Sequence, residues 1–281
     1  MSSPITPLIK PKDIILGKDT VIIDARSGPD VLRRYRAGHL EGALHADLDE
    51  DLSQKPKDAA YGGRHPLPDV KDFAAFVGKL GITPSTSVVV YDDKSGANAA
   101  ARFWWMLRAL GHEKIQVVDG GLDAMIREGL PMTSAKPEPV VQSPYPANAW
   151  KLPTVSIDKV KAATNDPQSL IIDVRETYRY RGEREPIDLT AGHIPGAINI
   201  PYLLNLSVNG NFRATPELAS LYQEALGQRD ASKVIVHCGS GVTACHTLLA
   251  LEQAGIKGAN LYVGSWSEWS RRDLPIAKDD V

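Results

Sequence analysis

Two long stretches of this chain repeat one another in the same order. Val21 to His45, VIIDARSGPDVLRRYRAGHLEGALH, recurs as Leu170 to Asn199, LIIDVRETYRYRGEREPIDLTAGHIPGAIN. VVVYDDKSGANAARFWWMLRALG, ending at Gly111, is answered by VIVHCGSGVTACHTLLALEQAG, ending at Gly255. VVDGGLDAMIREGLPM is answered further on by YVGSWSEWSRRDLPI. A repeat of roughly 130 residues has the length of an ordinary domain, so the chain must build one architecture twice. Between the copies, TSAKPEPVVQSPYPANAWKLP reads, from its prolines and small polar residues, as an extended connector. These limits predict a first domain over 1–132, a linker over 133–153 and a second domain over 154–281.

Within each copy, short β-branched runs alternate with helical spacing. In the second, 170–173, 197–200, 234–237 and 260–263 read as buried strands. Residues 216–226 and 244–253 carry helical apolar spacing, with Gly255 placed to end the latter helix. Strands alternating with helices predict an α/β fold, two tandem domains each with a mostly parallel sheet flanked by helices on both faces. Such sheets bind ligands beyond the carboxyl ends of their strands. Cys238 stands at such an end.

Composition narrows the chemistry. A formal charge of −2 lacks the basic field that nucleic-acid binding uses. No apolar run is long enough to cross a membrane, and the opening MSSPITPLIKPKDIILG lacks the apolar core of a signal peptide. The two cysteines, Cys238 and Cys245, are too few for a disulfide framework or a cysteine-rich zinc site. The expectation is a cytoplasmic protein of a reducing compartment, with neither nucleic acid nor membrane as partner, where a free thiol survives.

The copies differ where chemistry would sit. The first copy's loop is two residues longer, and Asp92 stands where the second has Cys238. The second copy carries five extra residues in the stretch containing YRGEREPID. Its CGSGVTA loop, with Gly239 and Gly241, can curl so that backbone N–H groups point inward, and the following helix adds its unpaired first N–H groups. Gly239, Gly241, Val242 and Thr243 would then form an anion cradle about the Cys238 sulfur, with Thr243 capping the helix. That environment suits a sulfur nucleophile and a charged adduct on it. Cys245, inside the helix, reads as core, and strand alternation turns His237 to the face opposite Cys238. A cysteine phosphatase would need an arginine at Ala244 to clamp phosphate, so that chemistry is disfavoured.

The two-copy layout, AGHIPGAINIP with its echo AGHLEGALH, and CGSGVTA resemble the tandem-domain rhodanese-type sulfurtransferases over nearly the whole chain. The resemblance implies an inactive first domain and a catalytic second one. It implies a persulfide on Cys238 that carries sulfur from a donor to cyanide or a thiol, a thioredoxin-like reductant among the acceptors, and no metal or organic cofactor. CGSGVTA looks like the 3-mercaptopyruvate type, because Gly239 and Ser240 replace the cationic pair of thiosulfate-type members. In that type an arginine matched by Arg179 holds the donor carboxylate. The second arginine expected past Glu185-Pro186 is missing, since Ile187 follows, which leaves thiosulfate open; Arg181 and Arg184 stand nearby. The same type implies a relay of Ser240, His65 and Asp49 beside the thiol, against the plainer reading of a loop histidine and an acidic surface patch. For Arg179 the plainer reading is a surface pair with Glu176 or Glu183. Arg26 and Arg175 occur in both copies, as do Gly38-His39 and Gly192-His193, and are read as holding the fold. The tryptophans at 104, 105, 266 and 269 are read as packing.

Overall fold

The computed structural model describes residues 5–17 and 19–279; the outermost ends of the two expected domains lie outside them. The chain forms two compact units. The first comprises the chain up to Gln54, with Pro68–Lys151 and Asn209–Asn211; the second comprises Lys55–Leu67, Leu152–Val208 and the chain from Phe212 onward.

The first unit runs β1 (Leu8–Ile9), β2 (Thr20–Asp24), α1 (Val31–Ala37), β3 (His39–Leu40), β4 (Leu44–His45), α2 (Val70–Lys79), β5 (Ser87–Tyr91), α3 (Ala99–Ala109), β6 (Ile115–Val118), α4 (Gly121–Glu128) and β7 (Met132–Thr133). Five parallel strands lie in the order β1-β6-β5-β2-β4, and β3 pairs antiparallel with β7. Val88, Val89 and Val90 of β5 are all buried, as a central parallel strand covered on both faces requires. The stretch expected as a linker begins inside β7 at Thr133, carries no helix or strand over 134–153, and is tied down. Gln142 N–H donates to Gly78 O, Tyr145 N–H to Ala74 O and Lys151 N–H to Ala109 O.

The second unit runs α5 (Ile157–Ala163), β8 (Leu170–Asp173), α6 (Thr177–Tyr180), β9 (Ile198–Asn199), α7 (Thr215–Leu226), β10 (Val234–His237), α8 (Thr243–Gln253), β11 (Asn260–Leu261) and α9 (Ser265–Trp269). Its four parallel strands lie in the order β11-β10-β8-β9. Every residue of β8 and β10 is buried, which explains their near-continuous apolar runs. Val160, Ile171, Ile194, Ile235, Tyr262, Trp266 and Trp269 pack into one core, and Trp104 and Trp105 are buried in the first unit. Each such side chain contributes about 1.5–3 kcal/mol through the apolar area it removes from water.

The residues shared by the copies hold equivalent joints. Arg26 Nη2 donates to Asp24 Oδ2 at 2.6 Å and to Gly38 O at 2.7 Å. Arg175 Nη2 donates to Asp173 Oδ2 at 2.5 Å and to Gly192 O at 2.7 Å. His39 stacks on Tyr35 with ring centroids 4.2 Å apart, and His193 on Tyr180 at 3.8 Å. These are fold contacts, buried and satisfied, one set per unit.

Candidate active site

Strand β10 ends at His237, and Cys238 is the first residue beyond it, 4% exposed. Its backbone is clamped on both sides. Ser265 Oγ accepts from Cys238 N–H at 3.2 Å, and Trp266 N–H donates to Cys238 O at 3.0 Å. Ser265 adopts φ +53, a left-handed conformation that is costly for a residue with a Cβ. This strain falls beside the thiol, on a serine that also donates to Tyr262 O at 2.8 Å. Gly241 has φ +75, and a Cβ there would meet Val263 O at 2.4 Å, so the turn admits glycine alone.

The loop then enters α8. Among the described residues, the backbone N–H groups of Gly239, Ser240, Val242, Thr243 and Ala244 find no acceptor. Helix α8 begins at Thr243 itself, with Val242 at the capping position and no side-chain cap. The expectation that Thr243 caps this helix is therefore corrected. A threonine Oγ at the cap would occupy the N–H groups an anion needs; here they are left open.

The first unit supplies an internal comparison for this cradle. At the corresponding strand end Asp92, fully buried, accepts from Lys94 N–H and Gly96 N–H on Oδ1 at 2.9 and 2.8 Å. Its Oδ2 accepts from Asn98 N–H and Ala100 N–H at 3.0 and 3.2 Å. The loop between β5 and α3 thus converges four N–H groups on one side chain at the place Cys238 occupies in the other copy. One copy fills its anion cradle with its own carboxylate; the other places a thiol there.

Beside the thiol, His65 Nδ1 lies 2.7 Å from Ser240 Oγ. His65 belongs to the Lys55–Leu67 segment of the second unit, so the two groups meet within one compact body. That segment is pinned by Gly62 N–H donating to Glu268 Oε1 and Arg64 N–H donating to Ser267 Oγ, both at 3.0 Å. Gly63 has φ +80, and a Cβ on it would meet Gly264 O at 2.4 Å. Asp49 lies in the first unit, where its N–H donates to Asp47 Oδ1, and its part in a relay rests on the sequence alone.

Arg179 is buried among carboxylates. Its Nε and Nη2 donate to Glu185 at 3.1 and 2.7 Å, and Nη1 to Glu176 Oε2 at 3.3 Å. Glu185 and Asp188 both come from the stretch found only in this copy. Asp188, its side chain without exposure, is shared by Arg64 Nε at 3.1 Å, Arg271 Nη1 at 2.9 Å and Arg179 Nη2 at 3.7 Å. A Cβ on Gly239 would stand 3.2 Å from Arg64 Nη2 and 3.4 Å from Arg179 Nη2. Arginines therefore reach the residue next to Cys238. Arg181 and Arg184 do not join them: Arg181 is exposed beside Glu183, and Arg184 covers the Tyr178 ring. Arg64, Arg271, Asp188, Glu185 and Ser265 escaped the sequence reading. Arg64 had one available signal, its place directly before the candidate relay histidine.

Cys245 is fully buried in α8 and donates to Gly241 O. His237 is fully buried, its Nδ1 3.2 Å from Cys238 O and its Nε2 3.7 Å from Asp173 Oδ2, and burial pushes its pKa down. It holds the strand end rather than the sulfur. Among the described residues no group of three or more His, Cys, Asp or Glu could hold a metal, and no helix is long and apolar enough to cross a membrane.

The family model of the rhodanese-like domain matches twice, at residues 12–128 and 156–272. The chain belongs to the rhodanese-like family. It is an enzyme of the sulfurtransferase kind, with two rhodanese domains. A probable 3-mercaptopyruvate sulfurtransferase of Pseudomonas aeruginosa is 40% identical over 256 residues, covering 88% of this chain and 87% of that one. A thiosulfate sulfurtransferase of Gallus gallus is 32% identical over 269 residues, covering 94% and 90%. The crystal structure of SseA from Escherichia coli, described with the 3-mercaptopyruvate enzymes, superposes with a TM-score of 0.73 at 32% identity, covering 94% of this chain and all of that one.

Proposed function

We propose that Cys238 carries sulfane sulfur as a persulfide and that 3-mercaptopyruvate is the preferred donor. The Cys238 sulfur anion attacks the donor sulfur. The bond from that sulfur to the donor's methylene carbon breaks, leaving Cys238–S–SH and the enolate of pyruvate. Ser240, hydrogen-bonded to His65, is suited to pass a proton to that enolate, and His65 to replenish it. Sequence adds Asp49 as the group orienting His65. Cyanide or a thiol, including that of a thioredoxin-like reductant, then attacks the outer sulfur and restores the Cys238 anion. Gly239, Gly241, Val242 and Thr243 form the cradle for the charged sulfur, and Arg179 faces the donor carboxylate.

The observation that carries this reading is the 2.7 Å contact between His65 and Ser240, two residues from the thiol. A proton relay has work to do with an enolate leaving group and none with sulfite, the leaving group of thiosulfate. Charge supports the same donor. The guanidinium groups of Arg64, Arg175, Arg179 and Arg271 are offset by the carboxylates of Asp173, Glu176, Glu185 and Asp188, a balance suited to a monoanion more than a dianion.

Intact-mass measurement after mixing with 3-mercaptopyruvate should show one added sulfur, lost on addition of cyanide and absent in Cys238→Ser. Competition between the two donors should favour 3-mercaptopyruvate. Cys238→Ser turnover at the parental rate, or a larger kcat/KM for thiosulfate, would overturn the reading.

A further inference from the structure

We propose that Arg64 holds the carboxylate of the donor, jointly with Arg179, an assignment that rests on 3-mercaptopyruvate as donor. Three observations lead to it. Arg64 Nη2 is the nearest atom to the open side of Gly239, at 3.2 Å from where a Cβ would lie, with Arg179 Nη2 at 3.4 Å. The two guanidinium tips thus converge on the residue bonded to Cys238, within reach of a donor whose sulfur meets the thiol.

Second, the two arginines differ in what they have left to give. A guanidinium carries five N–H donors in a planar fork. In Arg179 the Nε, Nη1 and Nη2 atoms are all engaged by Glu185 and Glu176. In Arg64 only Nε and Nη2 meet Asp188, at 3.1 and 3.4 Å, and Nη1 has no acceptor among the described residues. Its side chain is also the more open, 26% exposed against 7% for Arg179. The Nη1–Nη2 edge of Arg64 is therefore available to both oxygens of an incoming carboxylate.

Third, Arg64 is held for the purpose. Its backbone N–H is fixed on Ser267 Oγ, and Asp188, itself held by Arg271, sets the plane of the fork. Because His65 follows it in the chain, one pinned segment brings both the carboxylate clamp and the relay histidine. Arg64 acts by binding substrate and takes no proton.

The test compares 3-mercaptopyruvate with 1-mercapto-2-propanone, which keeps the keto group and thiol and lacks the carboxylate. In Arg64→Gln the ratio of kcat/KM for the two donors should fall about 30-fold, through KM for 3-mercaptopyruvate, and Arg64→Lys should give a smaller fall. Inhibition by pyruvate should weaken in the same order, which gives a binding readout independent of turnover. An unchanged ratio, or equal losses with both donors and unchanged pyruvate inhibition, would overturn the role of Arg64 alone. A parent protein that loads no sulfur from 3-mercaptopyruvate would overturn the donor reading and this assignment with it.

Discussion

Ser240 Oγ and His65 Nδ1 lie 2.7 Å apart although 175 positions separate them in the chain. The contact couples a loop after β10 to a segment belonging, in sequence, to the first copy. If it moves a proton to the leaving enolate, Ser240→Ala and His65→Gln should each lower kcat with 3-mercaptopyruvate about 100-fold. The double variant should lose little more, because the two act as one device. With thiosulfate, whose leaving sulfite needs no proton, the same variants should lose less than about threefold. Steady-state kinetics with both donors checks this, and equal losses would make the pair structural. Asp49→Asn should follow the same pattern more weakly, as a group that orients His65 without touching the substrate would.

Two glycines of the loop should respond differently to one added methyl. At Gly241 a Cβ meets Val263 O at 2.4 Å on backbone with φ +75, so neither neighbour nor dihedral can yield cheaply. Gly241→Ala should lower stability by about 2 kcal/mol or more and remove activity with it. At Gly239 the neighbours are the tips of Arg64 and Arg179, which shift by a few tenths of an ångström. Gly239→Ala should keep its melting temperature within about 2 °C and raise KM for the donor several-fold. Thermal denaturation and donor titration of the two variants check both statements. Placing arginine at Gly239 and lysine at Ser240 would crowd the arginine tips and cut the bond to His65. It should cost 3-mercaptopyruvate activity more than it gains thiosulfate activity.

What could be read in advance was whatever depends on local pattern. β8 and β10 match their expected ranges because a strand buried on both faces writes itself as an unbroken apolar run. α7 and α8 each begin one residue before the helical spacing is visible. The cradle was legible too, since strand, glycine turn and helix are consecutive. The arginine cluster was not. Arg64, Arg179 and Arg271 meet on Asp188 across more than 200 positions, and no periodicity encodes a shared ion-pair partner. Ser265 was invisible for another reason: its left-handed φ is imposed by its bonds to Cys238 N–H and Tyr262 O, where a sequence reader would expect glycine.

Acid should weaken the fold through His246. Its ring is fully buried against Phe212 and Tyr202, with Nδ1 3.2 Å from Asn205 Nδ2. Burial lowers its pKa from 6.5 to about 3. The unfolded chain therefore takes up a proton below about pH 6.5 that the folded chain refuses until about pH 3. The stability this neutral ring preserves is complete above pH 6.5 and is lost as pH falls through that window. At about pH 4.5 the loss is roughly 2–3 kcal/mol from this group. Urea denaturation across that range should show a shallower slope for His246→Gln than for the parent, whatever their difference at neutral pH. Parallel slopes would count against it.

Asp92 allows the cradle itself to be tested without touching the thiol. Burial pushes its carboxyl pKa up, against four backbone N–H bonds that pull it down. Each oxygen accepts two of these N–H groups, which leaves no place for a carboxyl proton to donate, so the geometry fits the ionised form. Asp92→Asn replaces one accepting oxygen by an amide nitrogen that cannot accept, leaving the N–H groups of Asn98 and Ala100 or of Lys94 and Gly96 buried without a partner. At about 1–3 kcal/mol for each of the two orphaned donors, the variant should lose roughly 2–6 kcal/mol in chemical denaturation. Asp92→Ala should lose more, and added sulfate should restore part of that loss if the emptied loop still gathers its N–H groups on a common centre. A neutral outcome for Asp92→Asn would mean that these N–H groups do not need their anion. The same architecture at Cys238 would then not be expected to prepare a charged sulfur.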